Sequence, residues 1–167
     1  DIKRYDAFGR VTASSESQNP SKYTYYTYDR LGRQLSITDT LGAVSSNTYD
    51  AYGRVLTTRD ALNNLTTYTY DDVNRTITVV HGVNTAAAFT TTSYVDAFGH
   101  TVLVTDGRGT TARYVYNADG ILTGTQVEDA AGTVLTSSSS TLDKAQRVTT
   151  TTDANGVVTK FSYDAAN

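Results

Sequence analysis

Residues 49–75 read YDAYGRVLTTRDALNNLTTYTYDDVNR, and the fold follows from this stretch. Asp50-Ala51-Tyr52-Gly53 has turn chemistry. An Asp carboxylate accepts from amides two positions on, and a glycine follows where the backbone needs positive φ. Arg54-Val55-Leu56-Thr57-Thr58 is β-branched and apolar and reads as a strand. Asp60-Ala61-Leu62-Asn63-Asn64 is a second turn, and Leu65-Thr66-Thr67-Tyr68-Thr69-Tyr70 a second strand. Asp71 then restarts the cycle. Turns this short join only antiparallel neighbours.

The unit recurs along the chain. Tyr5-Asp6-Ala7-Phe8-Gly9-Arg10, Tyr28-Asp29-Arg30-Leu31-Gly32-Arg33 and Tyr49-Asp50-Ala51-Tyr52-Gly53-Arg54 share one pattern. Tyr70-Asp71-Asp72-Val73-Asn74-Arg75 keeps it with Asn74 for glycine, as Asn tolerates the left-handed region. Weaker copies follow: Val95-Asp96-Ala97-Phe98-Gly99-His100, Tyr116-Asn117-Ala118-Asp119-Gly120-Ile121, Leu142-Asp143-Lys144-Ala145-Gln146-Arg147, and Tyr163-Asp164-Ala165-Ala166-Asn167. Gln146 is a poor residue for the glycine place and predicts a distorted turn. The Asp or Asn positions 6, 29, 50, 71, 96, 117, 143 and 164 are 23, 21, 21, 25, 21, 26 and 21 residues apart. The base period is 21, and the longer intervals carry insertions at Ser14–Ser21 (with the one proline, Pro20), His81–Ala88 and Ser137–Thr141, the last a widened loop or a weak strand. A midway turn begins at Asp39, Asp60, Asp106, Asp129 and Asp153.

The expected architecture is all-β. Residues 1–167 form a single array of about eight partial or complete two-strand units, a continuous antiparallel meander of roughly sixteen strands. Such a sheet twists, so a spiralling, one-layer sheet is expected rather than a sandwich. Tyr26 and Tyr28 share one face, as do Tyr68 with Tyr70, Tyr114 with Tyr116, and Phe161 with Tyr163. The chain starts within one motif and stops within another, which reads as a segment of a larger protein.

Composition narrows function. The net charge of −3 offers no basic stripe for nucleic acid. No apolar run is long enough for a membrane-spanning helix. Cysteine is absent, which removes disulfides and thiolate chemistry and fits an extracellular setting.

The repeated Tyr-Asp-x-x-Gly-Arg motif resembles the YD-repeat family, also called RHS repeats, which includes bacterial rearrangement-hotspot proteins, the B and C components of insecticidal toxin complexes, and teneurins. Copies at 5–10, 28–33 and 49–54 match it fully. The resemblance implies a secreted or cell-surface bacterial protein whose one-layer sheet spirals into a hollow shell or tube wall around a polypeptide. It brings no cofactor. The family's Asp-Pro autoprotease segment has no match, since Pro20 follows Asn19.

Candidate sites meet structural readings throughout. The midway aspartates offer one carboxylate each, where calcium takes six to eight oxygens, and read as turn caps. His81 and His100 lie in different units, and His100 stands in the arginine slot. No serine sits in a Gly-x-Ser-x-Gly elbow. Arg10, Arg33, Arg54 and Arg75 recur at one place. They read as stacking on a motif tyrosine or pairing with a neighbouring unit's Asp, ahead of an anion- or glycan-binding ladder. Tyr26, Tyr68 and Tyr114 are the candidates for stacking on sugar rings. Asn64-Leu65-Thr66 and Asn74-Arg75-Thr76 fit a glycosylation pattern that matters only in a eukaryotic secretory pathway. With the residues read as structural, the resemblance implies a non-enzymatic wall segment enclosing a toxin or other polypeptide. The alternative is an extracellular fibre or adhesin that self-associates through open strand edges and binds glycans.

Overall fold

Short β-branched runs between Asp-led turns form strands wherever the repeat places them. The computed structural model describes residues 2–15, 19 and 22–164. They carry β1 (Ile2–Tyr5), β2 (Val11–Ser15), β3 (Thr24–Tyr28), β4 (Gln34–Thr38), β5 (Val44–Tyr49), β6 (Val55–Arg59), β7 (Leu65–Asp71) and β8 (Thr76–His81). β9 (Phe89–Val95), β10 (Thr101–Thr105), β11 (Thr111–Tyr116), β12 (Leu122–Glu128), β13 (Val134–Leu142), β14 (Val148–Thr152) and β15 (Val158–Lys160) complete the sheet. Strand order follows chain order throughout, and the pairings described here are antiparallel.

Fifteen strands stand among the described residues where about sixteen were expected. β15 ends at Lys160, so Phe161 and Tyr163 lie beyond it rather than alternating within it. Ser137–Ser140 lie inside β13, which settles the serine-rich run as strand. The insertion at 14–21 is described only in part. Ser14 and Ser15 close β2, while 16–18, Pro20 and 21 lie outside the described residues, as do 165–167 of the last motif copy.

The chain divides into two units, Asp1–Thr69 with Val79–Phe89, and Tyr70–Thr78 with Thr90–Asn167. In the first, the motif hairpins β1–β2, β3–β4 and β5–β6 each carry a bulge at the same place. Thr27 pairs with Ser36 but Tyr28 with Gln34, which leaves Leu35 extra; Leu56 is extra in β5–β6 in the same way. The second unit repeats this with Thr123 extra against Val115 and Tyr116, and Thr149 extra against Thr141 and Leu142. A bulge bends its strand and increases local twist. The pairing between consecutive hairpins also stops at a fixed place. Its last pair on the motif side is Ala13↔Tyr25, Ser36↔Ser46, Thr57↔Thr67, Leu103↔Arg113 or Thr150↔Lys160. Ala13, Ser36, Thr57, Leu103 and Thr150 each lie three residues past the motif's sixth position.

Both units are one layer thick. Only Ala13, Ser15, Tyr23 and Gly124 are buried among the described residues, and no large side chain is fully enclosed. Stability must come from the ladders and from side chains that bridge one repeat to the next.

Candidate functional site: the interlocking turn motif

Each motif residue has a contact that explains it. Asp6 caps its turn: Phe8 and Arg10 N–H donate to Asp6 Oδ1 at 2.9 and 3.0 Å. Gly9 N–H donates to Asp6 O at 3.1 Å with Gly9 at φ 78°. Asp29 and Asp50 repeat the pattern, with Gly32 at φ 84° and Gly53 at φ 88°. Asp96 with Gly99 and Asn117 with Gly120 build the same turn. The midway aspartates Asp39, Asp60, Asp106, Asp129 and Asp153 cap in the same way, each Oδ1 accepting from the amide two residues on.

The arginine closes the turn and reaches forward. Arg10 Nε donates to Asp6 Oδ2 at 2.6 Å, and Arg33 and Arg54 do the same to Asp29 and Asp50. The ion pair is thus within one turn, not with a neighbouring unit's Asp as the sequence suggested, because the motif's sixth residue leaves the turn beside its second, the Asp. What reaches the neighbour is the other end of the guanidinium. Arg10 Nη1 donates to Asp29 O at 2.9 Å and its Cζ lies 4.9 Å from the Tyr28 ring centroid. Arg33 Nη1 donates to Asp50 O at 3.1 Å and its Cζ lies 4.7 Å from Tyr49. Arg147 sits 4.6 Å over Tyr163. His100 takes the same place with an imidazole, its Nδ1 2.9 Å from Asp96 Oδ2 and its ring stacked 4.7 Å from Tyr116.

The tyrosine closes the joint from the other side. Tyr28 OH donates to Val11 O, Tyr49 OH to Gln34 O, Tyr116 OH to Thr101 O and Tyr163 OH to Val148 O, at 2.7 to 3.1 Å. Each acceptor immediately follows the arginine or histidine of the preceding motif. It lies in the stretch where the inter-hairpin ladder has stopped, so the phenol supplies the donor that the ladder does not. Sequence reasoning missed these carbonyls, since a backbone acceptor has no letter. One signal was present: phenylalanine never stands before the motif Asp, although Phe8 and Phe98 occur within it.

The chain exchanges this couple as a pair. Ile121 replaces the arginine in one copy, and Leu142 replaces the tyrosine of the next. Arg75 is displaced, and Val95 follows in place of tyrosine. Here the structure corrects the sequence reading: Asn74 does not hold positive φ, and Arg75 does, at 53°. The extra residue shifts the left-handed position by one, and Asn74 Nδ2 instead donates to Asp71 Oδ2 at 2.7 Å. A second correction concerns Gln146. It takes φ 63° in an undistorted turn, because Asp143 and Arg147 keep every cap and pair contact.

The electrostatics follow from these bonds. The Arg10 amide lowers the Asp6 carboxyl below its ordinary value, against partial desolvation, with the Arg10 guanidinium assisting. For Asp29 and Asp50 desolvation pushes upward, and the amides and guanidinium groups of Arg33 and Arg54 outweigh it. Tyr26 is half-buried with its hydroxyl 3.1 Å from Ser14 Oγ. Tyr68 is half-buried in β7, and Tyr114 lines a shallow open cleft with Phe98, His100 and Tyr116. The structure thus places the three stacking candidates in separate repeats. His81 stacks on Phe89 at 4.5 Å.

The RHS Repeat family model matches residues 5–44 and 143–167. Those two segments are similar to RHS repeats. The matched segments hold the turns of Asp6, Asp29 and Asp143, whose geometry agrees although one uses Gln146 for glycine. No curated protein matches the sequence. The chain resembles the crystal structure of TcdB2-TccC3 without its hypervariable C-terminal region, at 16% identity and a TM-score of 0.53, over 98% of this chain and 10% of that one. It also matches the Photorhabdus luminescens Tc holotoxin pore at 15% identity and a TM-score of 0.42, over 98% and 12% of the two chains. The first likeness shows a shared fold, and this chain spans about one tenth of that chain's length.

Proposed function

We propose that this RHS-repeat array is a structural, non-enzymatic wall segment of a secreted bacterial protein, and that the wall encloses another polypeptide. One observation carries the reading: the motif's distinctive side chains are used in holding one repeat to the next. Asp6, Asp29 and Asp50 cap turns, Arg10 and Arg33 reach the following unit, and Tyr28 and Tyr49 close the joints. That is the chemistry of a building material. The fold shared with TcdB2-TccC3 supports it.

Electron microscopy of the full polypeptide that carries these repeats tests the reading. Hollow particles with internal density are expected, together with protection of the enclosed segment from added protease. Fibres with an axial repeat, and no protected segment, would replace the container with a filament or adhesin.

A further inference from the structure

Arg10, Arg33, Arg54 and Arg147 keep their charge at any ordinary pH, whereas His100 fills the same slot with a group that gains and loses a proton. Its Nδ1 lies 2.9 Å from Asp96 Oδ2. Desolvation pushes the Asp96 carboxyl upward, and the His100 side chain with the His100 and Phe98 amides outweighs it and holds it below its ordinary value. A carboxylate only accepts, so in the neutral ring Nδ1 carries the proton and Nε2 a bare lone pair. Nε2 lies over the following turn, 3.0 Å from where a Cβ on Gly120 would stand. Nη1 of Arg10 and of Arg33 lie over Gly32 and Gly53 in the same way, at 3.9 and 3.6 Å. There each Nη1 donates to the next turn's carbonyl, Asp29 O or Asp50 O. The matching carbonyl, Asn117 O, accepts from Gly120 N–H at 3.0 Å and has no hydrogen bond from His100, whose neutral Nε2 has no proton to give.

We infer that the His100 joint is a proton-operated clasp, half made at neutral pH and completed when Nε2 is protonated. Three contacts change together. Nε2–H becomes a donor over the turn that carries Asn117 O, as Nη1 is in the arginine joints. The bond to Asp96 becomes charge-assisted, and such bonds are roughly twice as strong as neutral ones. The ring stacked 4.7 Å from Tyr116 becomes a cation on an aromatic face. The titratable groups around the ring are Asp96 on its own turn, Asp119 on the next, and Tyr114 and Tyr116 on β11, and no lysine or arginine lines this cleft. The formal charges facing the ring are therefore negative. The added contacts exist only with the proton on. Their contribution enters as pH falls through the range in which imidazoles titrate, about pH 8 to 5, and leaves as pH rises. Mild acid thus tightens the joint between the β9–β10 and β11–β12 hairpins before the aspartate caps lose charge near about pH 4. The inference goes beyond the wall reading and does not rest on it.

Urea unfolding of the unmodified chain and of His100→Arg, each at about pH 8 and about pH 5.5, tests the clasp. His100→Arg installs a permanent guanidinium in the slot and is expected to be the more stable of the two at the higher pH. Its lead is expected to shrink at the lower pH, by about threefold to tenfold in the folding constant, because the unmodified chain gains what the variant already has. His81→Gln removes the other histidine and is expected to leave that shrinkage unchanged. Far-ultraviolet circular dichroism checks that each variant keeps its sheet. Parallel profiles for the unmodified chain and His100→Arg overturn the clasp. So does a His100→Arg chain with no lead at the higher pH, or a pH response that disappears in His81→Gln.

Discussion

At the residue scale, the motif is a division of labour between backbone and side chain. Gly53 sits at φ 88°, where a β-branched residue is strained. Gly53→Val should therefore destabilise the chain by about 1–3 kcal/mol, whereas Leu62→Val at an exposed turn tip should stay within about 0.5 kcal/mol. Equal shifts in the denaturant midpoint would contradict the turn geometry. The same comparison explains what the letters concealed. Asp and Gly could be assigned roles from turn chemistry, because each acts on its own turn, whereas the arginine's ion pair was expected with a neighbouring unit and lies within its own. The tyrosine's acceptor could not be named, since Gln34 O and Val11 O are backbone atoms that any residue supplies. Tyr49→Phe removes only that donor. It should cost about 1 kcal/mol without changing the circular dichroism spectrum, and no loss at all would mean that water serves the Gln34 carbonyl equally well.

At the element scale, the joint between hairpins is where side chains replace the ladder. Pairing stops at Ser36↔Ser46, and Arg33 with Tyr49 bridges what lies beyond. The period and the alternation of Tyr26 with Tyr28 made the strands legible. The bulges at Leu35 and Leu56 were not legible, because the extra residue is an ordinary apolar letter in an apolar run. The turn at Asp71 shows a related limit: Asn74 occupies glycine's place in the alignment, yet one residue of slippage gives the left-handed position to Arg75. The Ile121 and Leu142 copies allow a direct test of the joint. Ile121→Arg alone should gain little, since no tyrosine follows it. Together with Leu142→Tyr it should show a favourable coupling of about 0.5–1 kcal/mol in a double-mutant cycle. Strict additivity would show that the arginine and tyrosine do not act as one unit.

At the scale of the whole molecule, a sheet with almost no buried side chains places much of its stability in many small, similar contacts. Its response to acid should reveal this. Asp6 and Asp143 are lowered first by the amides of Arg10 and Arg147, and Asp60 by the Asn64 side chain. Asp29, Asp50 and Asp96 are lowered although desolvation acts against it. A carboxyl whose folded value lies below its unfolded one contributes stability that is fully present above the unfolded value and is lost as pH falls through the folded one. The unfolded value for Asp is about 3.9. The urea midpoint should therefore be insensitive to carboxyl titration near neutral pH and should fall steeply below about pH 4. The Asp50→Asn variant keeps an oxygen for the Tyr52 and Arg54 amides but loses the ion pair. It should start less stable at pH 7 and lose less on acidification, because one titrating cap has been removed. A parallel acid profile in the variant would mean that the Asp50 contacts are the same in the folded and unfolded chain, and that the repeat's stability lies in the ladders alone.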